Sequence, residues 1–291
     1  MGRLAGYAAL AAIAAAWALT LPLIRVAVST GHRPLGLLLW QQMIMAAVLL
    51  ALLGAMGKPL PRLGPNLGLM LVVAFFGTVL PGYFAFVTAA ALPAGVRAII
   101  IASVPMFVLP MALALGMERP DHRRAAGVLV GGAAMVLLGL PGAGPAAGSS
   151  AAMVLLALIS PFSYALEASW IGWRGQNGLH PFQLLFGASL LGMAMAWPLA
   201  EATGQVVWPA GWGRAEWAML AVGLLNAAAY SGYVWLIGRT GSVFASQIAY
   251  LTTGFAILWS MLLFGERYPA PVWLAFALIL AGVALVQPRQ G

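Results

Sequence analysis

Residues 4–28 read LAGYAALAAIAAAWALTLPLIRVAV, twenty-five positions with one charged side chain, Arg25. A helix rises about 1.5 Å per residue, so about 20 apolar residues cross the roughly 30 Å hydrocarbon layer of a bilayer. Nine further blocks of this kind follow, bounded by Pro, Gly and charge, near 35–56, 66–91, 94–117, 122–140, 149–173, 179–203, 214–238, 242–264 and 270–287. Backbone groups in lipid must be satisfied within their own segment, so such runs predict helices. Of the 291 residues 63% are hydrophobic and 7% charged. A soluble chain averages about 25% charged, which excludes a water-soluble globule. The expected fold is an all-α membrane protein of ten transmembrane helices, with connections too short for an extramembrane domain.

The first block continues into more apolar blocks, with no small-residue cleavage site and polar region after it, so it predicts a retained helix and not a signal peptide. Cysteine is absent, which excludes disulfides, iron-sulfur clusters and thiolate metal sites, and His32, His122 and His180 all fall between blocks. No metal and no cofactor are expected. The net charge of +8 includes a single lysine, Lys58, and the arginines are spread one or two per connection. That is no nucleic-acid patch. It reads as a topology signal, because cytoplasmic connections retain Lys and Arg. With the N-terminus inside, the inner side holds Arg3, Lys58, Arg62, Arg119, Arg123, Arg124, Arg174, Arg239 and Arg289. The outer side holds five: Arg25, Arg33, Arg97, Arg214 and Arg267. Both termini are therefore expected to be cytoplasmic. The expected partners are lipid and a small-molecule substrate, with function as a monomer.

Displacing the chain by 147 residues sets Trp17-Ala18-Leu19 on Tyr164-Ala165-Leu166 and Arg33-Pro34 on His180-Pro181. Displacements of 148 to 150 set Glu118-Arg119 on Glu266-Arg267 and Gly131-Gly132 on Ala281-Gly282. Matches in one order at nearly one offset indicate a duplication, with units 1–144 and 145–291. Five helices per unit is an odd number, so the second copy enters the membrane from the opposite side, as in inverted-repeat transporters.

Gly265-Glu266-Arg267 with Ala281-Gly282, and more loosely Met117-Glu118-Arg119 with Gly131-Gly132, resemble the EamA-type repeat of the drug/metabolite transporter superfamily. The resemblance covers essentially the whole chain and implies ten helices in two inverted five-helix repeats. It further implies a carrier of small metabolites, most like the aromatic amino-acid exporter branch. The family often has a proline midway along the fourth helix of each repeat; Pro105 fits, whereas the second copy has Thr252-Thr253, so the two halves are expected to bend differently.

Polar side chains facing lipid are unfavourable, so their distribution separates wall from interior. Stretches 43–56, 125–140 and 272–286 hold no Ser, Thr, Asn, Gln, Tyr or charged residue, and 184–200 holds only Ser189. These second and fifth helices of each unit read as outer wall. The other six helices carry Trp17, Thr20, Tyr83, Ser103, Ser163, Tyr164, Glu167, Asn226, Tyr230, Tyr233, Gln247 and Tyr250. Ser160, Ser163, Tyr164 and Glu167 share one helical face, as do Asn226, Tyr230 and Tyr233. The set reads as a lined substrate cavity; hydrogen bonding between helices is the competing account for any single member. Glu167, the one carboxylate well inside a block, reads either as a water-accessible substrate or proton site or as the ion-pair partner of Arg174. Arg25 and Arg97 read as gating or outer-vestibule groups, or as cations snorkelling to headgroups. Trp208, Trp212, Trp217 and Trp273 fit an interfacial belt. Pro22, Pro81, Pro105 and Pro161 are candidate hinges or passive kinks.

The reading that follows is an inner-membrane transporter exporting aromatic and other neutral amino acids, or similar small metabolites, by alternating access. A carrier of nucleotide-linked or lipid-linked sugars is the alternative, and it calls for Arg25 and Arg97 in the cavity. Intramembrane catalysis lacks a carboxylate pair, an in-span histidine or metal ligands.

Overall fold

A computed structural model describes residues 3–92, 94–139, 151–206, 211–265, 267 and 270–285, and every element in them is helical. Glu266, Trp208 and Arg289 lie outside the described residues. The helices are α1 (Arg3–Val28), α2 (Pro34–Ala55), α3 (Leu63–Val72), α4 (Leu80–Ala89), α5 (Ala94–Ile101), α6 (Val104–Ala114), α7 (His122–Gly139), α8 (Ala151–Arg174), α9 (Pro181–Ala202), α10 (Arg214–Thr240), α11 (Ser242–Ser246), α12 (Ile248–Phe264) and α13 (Ala270–Leu285). A π-helical stretch, Val73–Val79, joins α3 to α4. Among the described residues, seven helical runs are long and apolar enough to cross a membrane, and Val104–Ala114 is a shorter apolar helix.

Three expected helices are interrupted. The block 66–91 widens to a π-helical turn immediately before Pro81, whose missing N–H and ring disturb the ladder one turn back. The block 94–117 breaks at Ala102-Ser103, just before Pro105, and the Ser103 hydroxyl donates to Ile100 O at 2.7 Å. The block 242–264 breaks at Gln247 with no proline. There Ser246 Oγ and Gln247 Nε2 both donate to Val243 O, at 2.9 and 3.2 Å, taking over a carbonyl that the ladder would use.

Helix starts follow local chemistry. Pro34 and Pro181 open α2 and α9, where a missing N–H has no consequence. At α9 the cap is reciprocal: His180 Nδ1 accepts from Phe182 N at 3.3 Å, and His180 N donates to Gln183 Oε1 at 2.9 Å. Glycines with positive φ recur along the chain at the offset seen in the sequence. Gly31 and Gly178 are 147 residues apart, as are Gly57 and Gly204, and Gly116 and Gly265 are 149 apart.

Helix packing has the same exchange character. α1 lies on α10 and α12, while α8 lies on α4 and on α5 and α6. α2 meets α10, while α9 meets α3 and the π-helical stretch; α2 pairs with α9, α5 with α12 and α7 with α13. The last pairing is backbone against backbone, since a Cβ on Gly282 would stand 2.8 Å from Gly127 O. Among the described residues, six hydrogen bonds join the two halves through a side chain at one end and backbone at the other. Ser160 Oγ donates to Pro81 O (3.0 Å), Gln183 Nε2 to Pro59 O (2.8 Å) and Tyr250 Oη to Val128 O (3.0 Å). Thr253 Oγ1 donates to Ala98 O (2.7 Å), Trp259 Nε1 to Ala15 O (2.9 Å), and Gln205 Oε1 accepts from Leu35 N (3.1 Å). Large apolar side chains such as Leu129, Leu155, Leu262 and Leu274 face outward, as a lipid-facing surface requires.

Candidate functional site

A cavity of about 80 Å³ lies where α1, α2, α4, α5, α6, α8, α10 and α12 converge, several times the roughly 10–15 Å³ that one water needs. Its polar and aromatic lining is Trp17, Thr20, Gln41, Arg97, Tyr164, Asn226, Tyr233 and Thr252, completed by apolar groups such as Leu21, Ile24 and Ile101. Its α1 members run from mid-helix towards the connection 29–33, and Gln41 lies in the first two turns of α2, which start from that connection. Towards the opposite end the interior is filled. Ile171, Ile237, Val243 and Phe244 are buried there, Tyr7 meets Phe244 edge-on at 5.5 Å, and Gln176 Nε2 donates to Val234 O at 2.9 Å. Glu118 and Arg124 form an ion pair at the start of α7. The interior is thus packed shut at that end of the bundle.

Of the residues expected in a substrate cavity, Trp17, Thr20, Tyr164, Asn226 and Tyr233 line this one. Trp17 anchors an aromatic cluster, with ring centroids 5.4 Å from Tyr233, 5.6 Å from Tyr230 and 6.1 Å from Tyr164. Arg97 also lines the cavity. It is 3% exposed, and its two terminal nitrogens have no hydrogen-bond partner. Snorkelling to headgroups is therefore not its role, because the short α5 begins at the cavity's edge and turns the side chain inward. Arg25 is exposed and does not line the cavity, although its charge reaches Arg97.

Glu167 is fully buried and absent from the lining, so the expected open access to water is not met. It sits behind the aromatic cluster with the Tyr230 hydroxyl facing it, without a hydrogen bond of good geometry. Gly77, in the π-helical stretch, makes room for both groups: a Cβ there would stand 1.8 Å from Tyr230 Oη and 3.1 Å from Glu167 Cδ. Arg174 does not answer as its partner, because its guanidinium lies over the Trp173 ring at 4.2 Å.

The other expected members lie outside the described lining. Tyr83 stacks edge-on with Phe84 at 5.3 Å, Ser103 and Ser163 bond carbonyls of their own helices, and Gln247 braces its break. Tyr250 ties α12 to α7, its ring filling the space left by Gly131. Pro22 and Pro161 lie inside α1 and α8, Pro81 follows the π-helical stretch, and Pro105 follows the break before α6.

Two groups were missed. Gln41 lines the cavity, and Gln42 is fully buried with both amide atoms unsatisfied beside Gly192. They are the one polar pair in block 35–56, which corrects the reading of the second helix as wall alone.

The EamA-like transporter family matches the chain twice, over residues 4–140 and 151–287. The Escherichia coli (strain K12) protein named "Uncharacterized inner membrane transporter YedA" is 26% identical over 96% of this chain and 90% of its own length. The proteins of the same name from Escherichia coli O6:H1 and O157:H7 match equally. A protein crystal structure superposes with a TM-score of 0.72 over 98% of this chain and 96% of that chain at 22% identity, which shows a shared fold.

Proposed function

This chain belongs to the EamA-like transporter family, and from that premise we propose that it exports amino acids, aromatic and other neutral ones, or similar small metabolites, by alternating access through the central cavity. It is a multi-pass protein of the bacterial inner membrane. Ten spans form two inverted repeats, 1–144 and 145–291, with both termini in the cytoplasm. The exchanged helix pairings, the left-handed glycines at offsets 147 to 149 and the bias of inner over outer arginine and lysine support this arrangement. Substrate enters the open end, and rocking about Pro22, Pro81, Pro105 and Pro161 closes it while opening the filled end.

The observation that carries the reading is the unpaired Arg97 guanidinium in a cavity walled by Trp17, Tyr164 and Tyr233. Guanidinium and carboxylate match in geometry and charge, while the rings offer flat faces to an aromatic body or an ammonium group. A carrier of nucleotide-linked or lipid-linked sugars is disfavoured, since one lining guanidinium cannot balance a diphosphate and Arg25 stands outside. The deciding experiment reconstitutes the protein in liposomes and measures counterflow with labelled amino acids. Transport should fall sharply in R97Q and Y233A; a panel that moves no faster than in protein-free vesicles refutes the reading.

A further inference from the structure

Among the described residues two ionisable side chains of opposite sign are buried, Arg97 and Glu167, and they do not pair. Arg97 lines the cavity and Glu167 lies behind its aromatic wall. Tyr164 links them: it lines the cavity one turn from Glu167 on α8, and both charges act on it. The titratable groups facing Glu167 are Tyr230 and Tyr233 from α10 and Tyr164 from its own helix. Of the other elements packed on α8, the π-helical stretch presents Gly77, and α5 brings Arg97 through Tyr164. Tyr83 of α4 packs instead among Leu37, Leu38 and Phe86; α3, α6 and α11 carry no titratable side chain.

Charge balance in this low-dielectric interior selects what can bind. With the cavity empty, the carboxylate form of Glu167 offsets the Arg97 charge. An anion on Arg97 adds a negative charge, and the site regains balance when one proton joins Glu167. A zwitterion brings an ammonium group, and among the described lining residues no carboxylate meets it.

We propose that the substrate is a small organic monoanion, a carboxylate on a flat or hydrophobic body, and that it crosses together with one proton, the anion held by Arg97 and the proton by Glu167. The proposal rests on the transporter reading and, within it, takes the substrate from the small metabolites and not from the zwitterionic amino acids. Glu167 takes its proton as the anion binds and gives it up on the other side as the anion leaves; only the carboxyl O–H bond forms and breaks. An inward proton gradient then draws the anion inward, and export proceeds when the acid's own outward gradient is the steeper.

The test uses the full chain in liposomes, with protein-free vesicles as background. The probes are 3-phenyllactate, which has a hydroxyl where phenylalanine has ammonium, phenylalanine itself, and benzenesulfonate, a permanent anion that cannot carry a proton. Phenyllactate should compete in counterflow at a concentration about tenfold below phenylalanine, the size of one charge-assisted contact. Benzenesulfonate entry should acidify the lumen by one proton per anion and ignore an imposed potassium diffusion potential. R97Q should raise the half-saturating phenyllactate concentration about tenfold or more. E167Q should carry the anion without the proton, so that its flux follows the potential. Preference for phenylalanine, or anion entry without proton entry in the parent protein, overturns the inference and leaves the transporter reading standing. If no amino acid and no anion probe moves above background, both fall.

Discussion

Replacing Gly77 by alanine tests the close approach on which the buried site depends. The added methyl would stand 1.8 Å from Tyr230 Oη, and ordinary contact begins near 3.4 Å, so the hydroxyl must move by about 1.6 Å (3.4 − 1.8). The ring cannot yield that far freely, because it is held against Trp17 at 5.6 Å and Tyr233 at 6.4 Å. Overpacking of this kind typically costs about 1–3 kcal/mol. Gly68, on the same run of chain, has nothing within 4 Å of its Cβ position, so G68A should be neutral or stabilising by up to about 1 kcal/mol through helix propensity. Removing the offending atom supplies the internal control. In G77A/Y230F the nearest remaining atoms are Tyr230 Cζ and Glu167 Cδ, both at 3.1 Å, a strain relieved by a few tenths of an ångström. Thermal unfolding of the purified protein in detergent should therefore rank G77A below the parent and restore most of the loss in the double variant. Equal midpoints for G77A and G68A, or a double variant no better than G77A, would refute the geometry.

Y250F should lower stability by about 1 kcal/mol through loss of the bond from Tyr250 Oη to Val128 O, while transport by folded protein stays at the parental rate. H180A should cost about 0.5–2 kcal/mol by removing the α9 cap. Partial burial first, and then the positive charge of Lys58, lower the His180 pKa, so the cap's contribution is complete above about pH 6.5 and fades as the pH falls below it. A midpoint-versus-pH curve in H180A should therefore be flatter between pH 7 and 5. A single cysteine at position 122 of this cysteine-free chain should resist an impermeant thiol reagent in intact cells; labelling from outside would reverse the proposed orientation. Alanine at Tyr233 should reduce transport at equal membrane abundance, whereas alanine at Leu278 should not.

Helix positions were legible because bilayer thickness imposes a length on each apolar run: the block 35–56 became Pro34–Ala55 and 179–203 became Pro181–Ala202. Interruptions were legible only where proline announces them. Pro105 marks a break, whereas the break at Gln247 arises from side chains that any helix could carry. Within the site, shared helical faces found Asn226 with Tyr233, whereas of the α8 face only Tyr164 reaches the described lining. Tyr83 and Tyr250 were assigned to the cavity on the strength of their helices alone. When every face of a helix is apolar, periodicity cannot say which side meets the cavity and which meets another helix. The burial of Glu167 was hidden for a different reason: it depends on Gly77, ninety residues away, and on a widened turn that no local pattern reveals.

The six side-chain-to-backbone bonds that join the halves among the described residues are uneven in a way that bears on how such a chain diverges. In each, the side chain belongs to the second half and the backbone to the first. A backbone carbonyl or amide survives almost any substitution, so these joints tolerate drift at Ala15, Ala98 or Val128 as far as bonding is concerned. They fail when Trp259, Thr253 or Tyr250 changes to a non-donor. Selection acting on one molecule thus weighs on its two ancestral copies unequally: the first is free to vary at the joints, and the second carries their memory.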